Sequence, residues 1–187
     1  MYNMKMYFYY GVMGSSKTAN ALMKKFNFEE KGRRVALLKP SIDDRDGKNV
    51  VKSRIGLECE AVSISKEDKI EDILKECNFD TLIIDESQFL TKEQVDELRE
   101  LSDRGIMVIC YGLKTDYMCN LFEGSKRLLE VADTIREIPS MCKCGKKAII
   151  NARYNRNTIV YSGDQIDIGG DDKYISLCYK CWKKGKI

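Results

Sequence analysis

Short apolar runs alternate with amphipathic segments along the chain as far as Pro139. Hydrophobicity within each run is continuous, which is typical of strands that are buried on both faces of a parallel sheet. The amphipathic segments carry apolar residues three or four positions apart, which is typical of helices that pack on such a sheet. The pattern predicts five strands, at residues 6–12, 35–39, 81–84, 106–111 and 134–138.

Four amphipathic segments predict helices between these strands. The first ends before Gly32, and glycine commonly terminates helices. In the third, Thr91 and Gln94 have the spacing of a capping box, in which each side chain bonds to the backbone N–H of the other at a helix start. The predicted helices are 18–31, 65–77, 91–104 and 125–132, and residues 40–47 are predicted to form a polar loop.

The alternation of strands and helices predicts an α/β domain in which helices cover both faces of a parallel sheet. After Met141 the pattern changes to short β-like pieces, glycines and paired cysteines. We therefore predict a boundary near Pro139, with a first domain over residues 1–138 and a smaller second domain over residues 139–187.

Composition narrows the range of functions. The chain is 43% hydrophobic, which is enough for a packed core, and its net charge of +3 does not favour a strongly basic nucleic-acid binder. It contains no histidine, which excludes Ser-His-Asp and Cys-His catalysis and zinc sites with imidazole ligands. Acid–base chemistry must therefore use carboxylates, lysines, tyrosines or thiols.

No targeting signal is predicted. The first ten residues lack the apolar core and the cleavage site of a signal peptide, and no apolar run approaches the roughly 20 residues that cross a bilayer. Eight cysteines without an export signal favour a reducing compartment, where thiols bind metals or lie in the core. We expect a cytoplasmic protein without a membrane partner.

A near match to the phosphate-loop pattern G-x-x-x-x-G-K-[ST] follows the first strand and precedes the first helix. Such a loop presents backbone N–H groups to phosphates, its lysine reaches the β- and γ-phosphates, and its threonine hydroxyl binds Mg²⁺. Ser16 stands where the pattern has glycine, although serine can also cap a helix. The alternative is an ordinary strand–turn–helix. The segment comprises Gly11, Val12, Met13, Gly14, Ser15, Ser16, Lys17 and Thr18.

Asp85 and Glu86 follow the apolar strand 81–84. An aspartate at the carboxyl end of such a strand is the group that holds Mg²⁺ in phosphate-loop proteins. Ligands of open α/β sheets bind beyond the carboxyl ends of the strands, so Asp85 and the loop are predicted to converge. Glu86 is then placed to accept a proton from the group that attacks the γ-phosphate. The alternative is a simple acidic helix start.

Four cysteines in the last part of the chain form a C-x-C and a C-x₂-C pair. Four thiolates suit tetrahedral Zn²⁺, and a closed four-thiolate shell predicts a structural site, not a catalytic one. Unremarkable thiols and an iron–sulfur cluster are the alternatives. The predicted metal ligands are Cys142, Cys144, Cys178 and Cys181.

Taken in order, these motifs resemble the type II (cytosolic) thymidine kinases. The resemblance covers nearly the whole chain and includes a final loop, the lasso, that closes over the nucleoside in that family. Besides the phosphate loop and the cysteines, it rests on the segments 39–45 (K-P-x-x-D-x-R), 85–89 (D-E-x-Q-F), 112–113 (G-L) and 168–174 (I-G-G-x-[DE]-x-Y).

The resemblance implies a P-loop (RecA-like) parallel sheet flanked by helices, with a small zinc-bound lasso domain, and a kinase that phosphorylates thymidine or deoxyuridine with Mg-ATP. It implies that Glu86 is the general base. Implied ATP and Mg²⁺ ligands are the phosphate loop with Asp43, Asp44, Arg45, Asp85 and Gln88. Implied nucleoside contacts are Met13, Phe89, Leu113, Tyr117, Phe122, Gln165, Ile166, Asp167, Ile168, Gly169 and Tyr174.

The resemblance further implies a homotetramer, inhibition by thymidine triphosphate, a zinc ion at the base of the lasso and no nucleic-acid partner. Three residues depart from the family pattern: Ser16 replaces glycine, Tyr117 replaces phenylalanine, and Arg54 stands where many members have histidine. Two other functions fit the residues. One is a P-loop ATPase that binds nucleic acid through a lysine-rich zinc ribbon, and the other is a non-catalytic nucleotide-binding protein.

Overall fold

The structure is a computed structural model that describes residues 5–43, 47–75, 77–165 and 173–187. Its strands in these ranges are β1 (Met6–Tyr10), β2 (Val35–Pro40), β3 (Val50–Lys52), β4 (Glu58–Glu60), β5 (Val62–Ile64), β6 (Thr81–Ile84), β7 (Met107–Gly112), β8 (Thr134–Glu137), β9 (Ser140–Met141), β10 (Lys147–Ala148), β11 (Ile150–Asn155), β12 (Thr158–Val160) and β13 (Tyr174–Leu177). Its helices are α1 (Lys17–Glu29), α2 (Ile70–Leu74), α3 (Lys92–Asp103), α4 (Glu123–Val131) and α5 (Tyr179–Lys183), with a 3₁₀ turn at Ser87–Phe89.

Six strands form the central sheet, in the order β5-β2-β6-β7-β1-β8. Every neighbouring pair in this sheet is parallel. The carboxyl ends of β1, β2 and β6 therefore open on the same edge, where ligands of parallel sheets bind. The α/β prediction with a parallel sheet is confirmed.

Two apolar clusters cover the two faces of this sheet, and β6 shows why its residues 82–84 are all apolar. Successive side chains of a strand point to opposite faces, and Leu82 and Ile84 pack in the cluster that includes Leu98 of α3 and Leu128 of α4. Ile83 packs in the other cluster, with Leu22 of α1. Apolar side chains fill both faces, so an unpaired polar residue at positions 82–84 would be costly.

The predicted helix at 65–77 is wrong in length, because only Ile70–Leu74 is helical. A tertiary contact competes for the residues before it: the Gln94 side chain donates to the backbone oxygens of Ser65 and Asp68. The Asp68 carboxylate in turn accepts from the backbone N–H of Ser65. These bonds satisfy the backbone in a turn and leave no need for helical bonds there.

Three short strands between residues 50 and 64 were not predicted. Each has only three residues, which is too short for a periodicity to be visible. Strands β3 and β4 pair as an antiparallel hairpin, and β5 extends the central sheet by pairing with β2. The predicted capping box is confirmed, because Thr91 and Gln94 exchange both bonds at the start of α3.

The C-terminal part of the chain packs around an antiparallel sheet in the order β12-β11-β13. Its apolar cluster contains residues such as Ile150 and Leu177, and it also contains Val12 of the phosphate loop. The division into domains 1–138 and 139–187 stays a prediction. Over the described residues, no helix has the length and apolar character needed to cross a membrane.

Candidate active site

The segment 11–18 connects β1 to α1, as the phosphate-loop motif requires. A Cβ atom on Gly11 would lie 2.4 Å from Ser15 Oγ and 2.6 Å from the Ile138 carbonyl oxygen, so only glycine fits there. Lys17 is buried, and its Nζ donates to the Val12 carbonyl oxygen at 2.9 Å. The loop is therefore closed on itself, with the lysine ammonium at its centre.

The backbone conformation at Ser16 explains why the consensus pattern has glycine at this position. It precedes α1 with φ 63° and ψ 26°, a left-handed conformation that glycine adopts without strain. Ser16 occupies the N-cap position, but its side chain makes no capping hydrogen bond. The serine thus carries the backbone strain of the position without the compensation that a capping side chain gives.

We expect Ser16→Gly to stabilise the protein. The substitution removes a strained left-handed residue, which costs on the order of 1 kcal/mol, and so raises the melting temperature by about 2–4 °C. Differential scanning calorimetry of the two proteins checks this. Ser41→Gly, in the turn after β2, is a control without a positive φ, and an equal or larger rise there would contradict the explanation.

Asp85 follows β6 and is 3% exposed. Thr18 bonds to its carboxylate, yet its Oδ1 atom has no hydrogen-bond partner among the described residues. Burial and, next, the neighbouring Glu86 carboxylate raise the pKa of Asp85 to about 7, against the opposing effects of Thr18 and Lys17. A buried carboxylate oxygen without a donor, next to a threonine hydroxyl, fits an oxygen-coordinated cation such as Mg²⁺.

Glu86 is the second non-glycine residue of the site in the left-handed region, with φ 51°. Its carboxylate accepts a hydrogen bond from the Gln88 amide, and the Gln88 Oε1 atom accepts from the backbone N–H of Leu113 at 2.9 Å. Gln88 is buried and connects the turn after β6 to the segment after β7. This bridge, with the backbone strain, sets the direction of the Glu86 side chain.

A cleft of about 280 Å³, including space open to solvent, lies at this edge of the sheet. Buried Lys39 donates to the carbonyl oxygens of Gly47 and Val50, which holds β3 against the cleft. The cleft brings together predicted residues from three segments. Its lining consists of Thr18, Lys39, Asp43, Asp85, Glu86 and the strand Val50–Lys52.

The structure describes Phe89, Phe122 and Tyr117, three aromatic residues that were predicted to contact the nucleoside. Phe89 and Phe122 meet edge to face with ring centroids 5.7 Å apart. Tyr117 is 1% exposed, with the Arg153 guanidinium 5.5 Å from its ring centre, and its hydroxyl has no hydrogen-bond partner in the described part of the chain. Of the remaining predicted contacts, Gln165 donates to Asp116, Tyr174 begins β13, and Asp44, Arg45, Ile166, Asp167, Ile168 and Gly169 lie outside the described residues.

The four predicted metal ligands converge, with all their sulfur atoms within 4.8 Å of one another. Two come from the β9–β10 turn, and two come from the start of α5. Tetrahedral Zn–S bonds of about 2.3 Å require sulfurs about 3.8 Å apart, and Cys144 and Cys178 are 3.6 Å apart. Burial raises the pKa of Cys142, but backbone N–H groups of Cys144 and Cys178 outweigh it and bring the pKa to about 6, which favours the thiolate.

Removal of a metal from this cluster should unfold the C-terminal sheet, because Cys142, Cys178 and Cys181 belong to its apolar core. We expect a chelator to lower the melting temperature by on the order of 10 °C, and added zinc to restore it. Differential scanning calorimetry with metal analysis measures both. Cys110→Ser, which alters a buried thiol far from the cluster, is the control whose chelator response should stay that of the wild type. An unchanged melting temperature after complete metal removal would contradict the prediction.

Comparison with known proteins assigns the chain. The profile of the family described as "Thymidine kinase" matches residues 4–182. The chain belongs to the thymidine kinase family. It is 45% identical over 180 residues to a thymidine kinase of Zymomonas mobilis, covering 93% of both chains. It is 42% identical over 186 residues to a thymidine kinase of Aliivibrio fischeri, covering 96% of this chain and 97% of the relative.

Among solved structures, the Pif1 helicase of Candida albicans is similar with a TM-score of 0.43 and 12% identity, over 73% of this chain and 36% of the helicase. A likeness this weak carries no argument about function. Membership of the family therefore rests on similarity in sequence to the family profile and to the two thymidine kinases.

Two features of this thymidine kinase family member were missed by reasoning from sequence. The first is the strand Val50–Lys52, which forms a wall of the cleft. Its only signal was the pair of β-branched residues Val50 and Val51 before a glycine turn. The second is the contact of Asn151 and Ser176 with the phosphate loop, for which the sequence carries no local signal.

Proposed function

We propose that this chain transfers the γ-phosphoryl group of Mg-ATP to the 5′-hydroxyl group of thymidine or deoxyuridine. The observation that carries the proposal is that Thr18, Asp85 and Glu86 line one cleft at the end of the phosphate loop. This grouping supports a metal ion held by the oxygens of Thr18 and Asp85, with the Glu86 carboxylate as the base beside the γ-phosphate. Membership of the thymidine kinase family supports the nucleoside as the acceptor.

In this mechanism the residues of the phosphate loop and of the end of β6 have separate roles. Lys17 neutralises the β- and γ-phosphates, and backbone N–H groups of the loop hold their oxygens. Thr18 and Asp85 would hold the magnesium ion, whose charge would offset that of the transferring phosphoryl group. Arg45, which follows Asp43 at the cleft by two positions, is proposed as a further cation for that group.

Glu86 accepts the proton of the 5′-hydroxyl as its oxygen attacks the γ-phosphorus. A carboxylate serves here because the chain has no histidine, and it must point at the hydroxyl for the transfer to be efficient. The Gln88 bridge supplies that orientation. Phe89, Phe122 and Tyr117 would cover the nucleoside and exclude water, which keeps transfer ahead of hydrolysis.

The finer features follow from the resemblance and are proposed on that ground. They are zinc as the ion of the cysteine cluster, inhibition by thymidine triphosphate, a homotetrameric assembly and a cytoplasmic location. The cluster supports zinc through its sulfur spacing and its complete thiolate shell. Such a shell offers no open position, so the ion would contribute to structure and not to the reaction.

The test is to measure ATP consumption with Mg²⁺, with and without each common nucleoside, and to follow ADP and nucleoside monophosphate together. We expect ADP only with thymidine or deoxyuridine, matched mole for mole by the monophosphate. Equal ADP formation without nucleoside would overturn the proposal and favour the nucleic-acid-coupled ATPase. Tight ATP binding without any turnover would favour the non-catalytic protein.

A further inference from the structure

We propose that Asn151 and Ser176 are positioning residues that hold the phosphate loop in its ATP-binding conformation by clamping the peptide groups of Met13. The inference rests on the ATP-binding half of the proposed function. It concerns two side chains of the C-terminal sheet, which the fold brings to a loop that lies 138 and 163 residues away in sequence.

The backbone N–H and the backbone carbonyl oxygen of Met13 both form hydrogen bonds with side chains of the C-terminal sheet. Its backbone N–H donates to Asn151 Oδ1 at 2.7 Å, and its carbonyl oxygen accepts from Ser176 Oγ at 2.6 Å. Asn151 lies on β11 and Ser176 on β13, and the two residues are paired directly opposite each other. The sheet therefore presents a fixed donor and a fixed acceptor to one residue of the loop.

The surroundings make this clamp rigid. Asn151 is 4% exposed, and its Nδ2 atom also donates to the Thr115 carbonyl oxygen at 3.3 Å. Its amide thus joins the phosphate loop to the segment that carries Tyr117. Val12, next to Met13, is buried in the apolar core of the C-terminal sheet.

The clamp affects ATP binding because it fixes the backbone of the phosphate loop. A phosphate loop binds through several backbone N–H groups whose directions must be set before the ligand arrives. The Met13 N–H points to Asn151, and the N–H groups of Gly11 and Ser15 donate to the carbonyl oxygens of Gly112 and Val12. The N–H groups that would hold phosphate oxygens therefore belong to other residues of the loop. If the Met13 peptides rotate, the neighbouring groups at Val12 and Gly14 turn with them.

The experiment compares Asn151→Leu, Ser176→Ala and the double variant with the wild type. Each single substitution removes one bond to Met13, and we expect each to weaken ATP binding about tenfold. Both bonds hold the same residue, so the double variant should lose less than the product of the single effects, about 10- to 30-fold. Calorimetric titration with a non-hydrolysable ATP analogue measures the affinity, and amide hydrogen exchange measures the protection of residues 11–16.

The matched control is Gln94→Met. Gln94, like Asn151, has a buried side-chain amide that forms hydrogen bonds to the backbone. Its three backbone partners are Thr91, Ser65 and Asp68, and it belongs to the capping box of α3 and not to the phosphate loop. We expect this variant to lose thermal stability to a similar extent and to keep its ATP affinity and the exchange protection of residues 11–16. A merely structural role for Asn151 would make the two variants behave alike.

The outcomes separate the inference from the proposed function. Wild-type protein that does not bind the ATP analogue would overturn the proposed function. Wild-type binding that Asn151→Leu and Ser176→Ala both retain within twofold would overturn the clamp and leave the function standing. Loss of affinity in Ser176→Ala alone, with exchange protection unchanged, would also overturn it. The serine variant removes one oxygen atom only, so it gives an answer even if Asn151→Leu does not fold.

Discussion

Replacement of Glu86 by glutamine is expected to lower kcat about 10³-fold and to leave ATP affinity within about twofold. The amide keeps the size of the side chain and a hydrogen-bonding oxygen for Gln88, but it does not accept the proton of the attacking hydroxyl. The carboxylate is not part of the phosphate loop, so nucleotide binding is spared. Steady-state kinetics with thymidine, together with calorimetric titration of ATP, measure the two effects separately.

Glu93→Gln is the control for that experiment. Glu93 is an exposed carboxylate in the first turn of α3, and its replacement costs only the favourable interaction with the helix dipole, at most about 1 kcal/mol of stability. Its kcat should stay that of the wild type. If turnover of Glu86→Gln survives within about threefold of the wild type, Glu86 is not the base.

Replacement of Lys17 by methionine is expected to lower kcat/KM for ATP by about 10²- to 10³-fold. Methionine keeps the length of the buried side chain but removes the ammonium group that we propose to neutralise developing negative charge on the phosphates. In contrast to Glu86→Gln, both kcat and ATP affinity should fall. Initial rates at varied ATP concentration and equilibrium titration with ADP measure this.

Lys25→Met provides the comparison on the same helix. Lys25 forms a pair with Glu29 on α1, an i,i+4 pair at the surface that contributes roughly 0.3–0.5 kcal/mol. Its loss should leave the kinetic parameters unchanged. Equal effects at positions 17 and 25 would show that helix stability, and not phosphate binding, is what Lys17 supports.

Two of the five non-glycine residues with positive φ in the described part of the chain lie at this site. Ser16 and Glu86 both have positive φ without being glycine, and they lie on the phosphate loop and directly after Asp85. Left-handed non-glycine residues cost of order 1–3 kcal/mol each and persist where the surrounding structure imposes them. At Glu86 the conformation directs the side chain that we propose as the base. At Ser16 the structure shows no gain, which is why Ser16→Gly is expected to be stabilising.

Local sequence was sufficient for much of the fold. The apolar runs predicted β1, β2, β6 and β7, because burial on both faces of a sheet demands continuous hydrophobicity. The edge strand β8, which has two exposed residues, was also predicted. The capping box at Thr91 was predictable because its two bonds join residues three positions apart. The phosphate loop, the acidic end of β6 and the paired cysteines were also visible, since each is a short segment with a distinctive spacing.

Tertiary contacts decided the rest. Helix α2 is short because Gln94, from α3, bonds to the backbone that precedes it. Strand β5 exists because β2 offers it an edge. In neither case does the local sequence contain the partner, so periodicity alone predicted a longer helix and no strand.

The same division applies to the site. Sequence by itself determined which residue types are present: a lysine and a threonine at a loop, an aspartate and a glutamate at a strand end, and four cysteines for a metal. Only the tertiary structure decided that Gln88 orients Glu86 and that Asn151 and Ser176 hold Met13. Spacing reports on neighbours within a few residues, whereas Leu113, which holds Gln88, follows a different strand, and Asn151 and Ser176 belong to the C-terminal sheet.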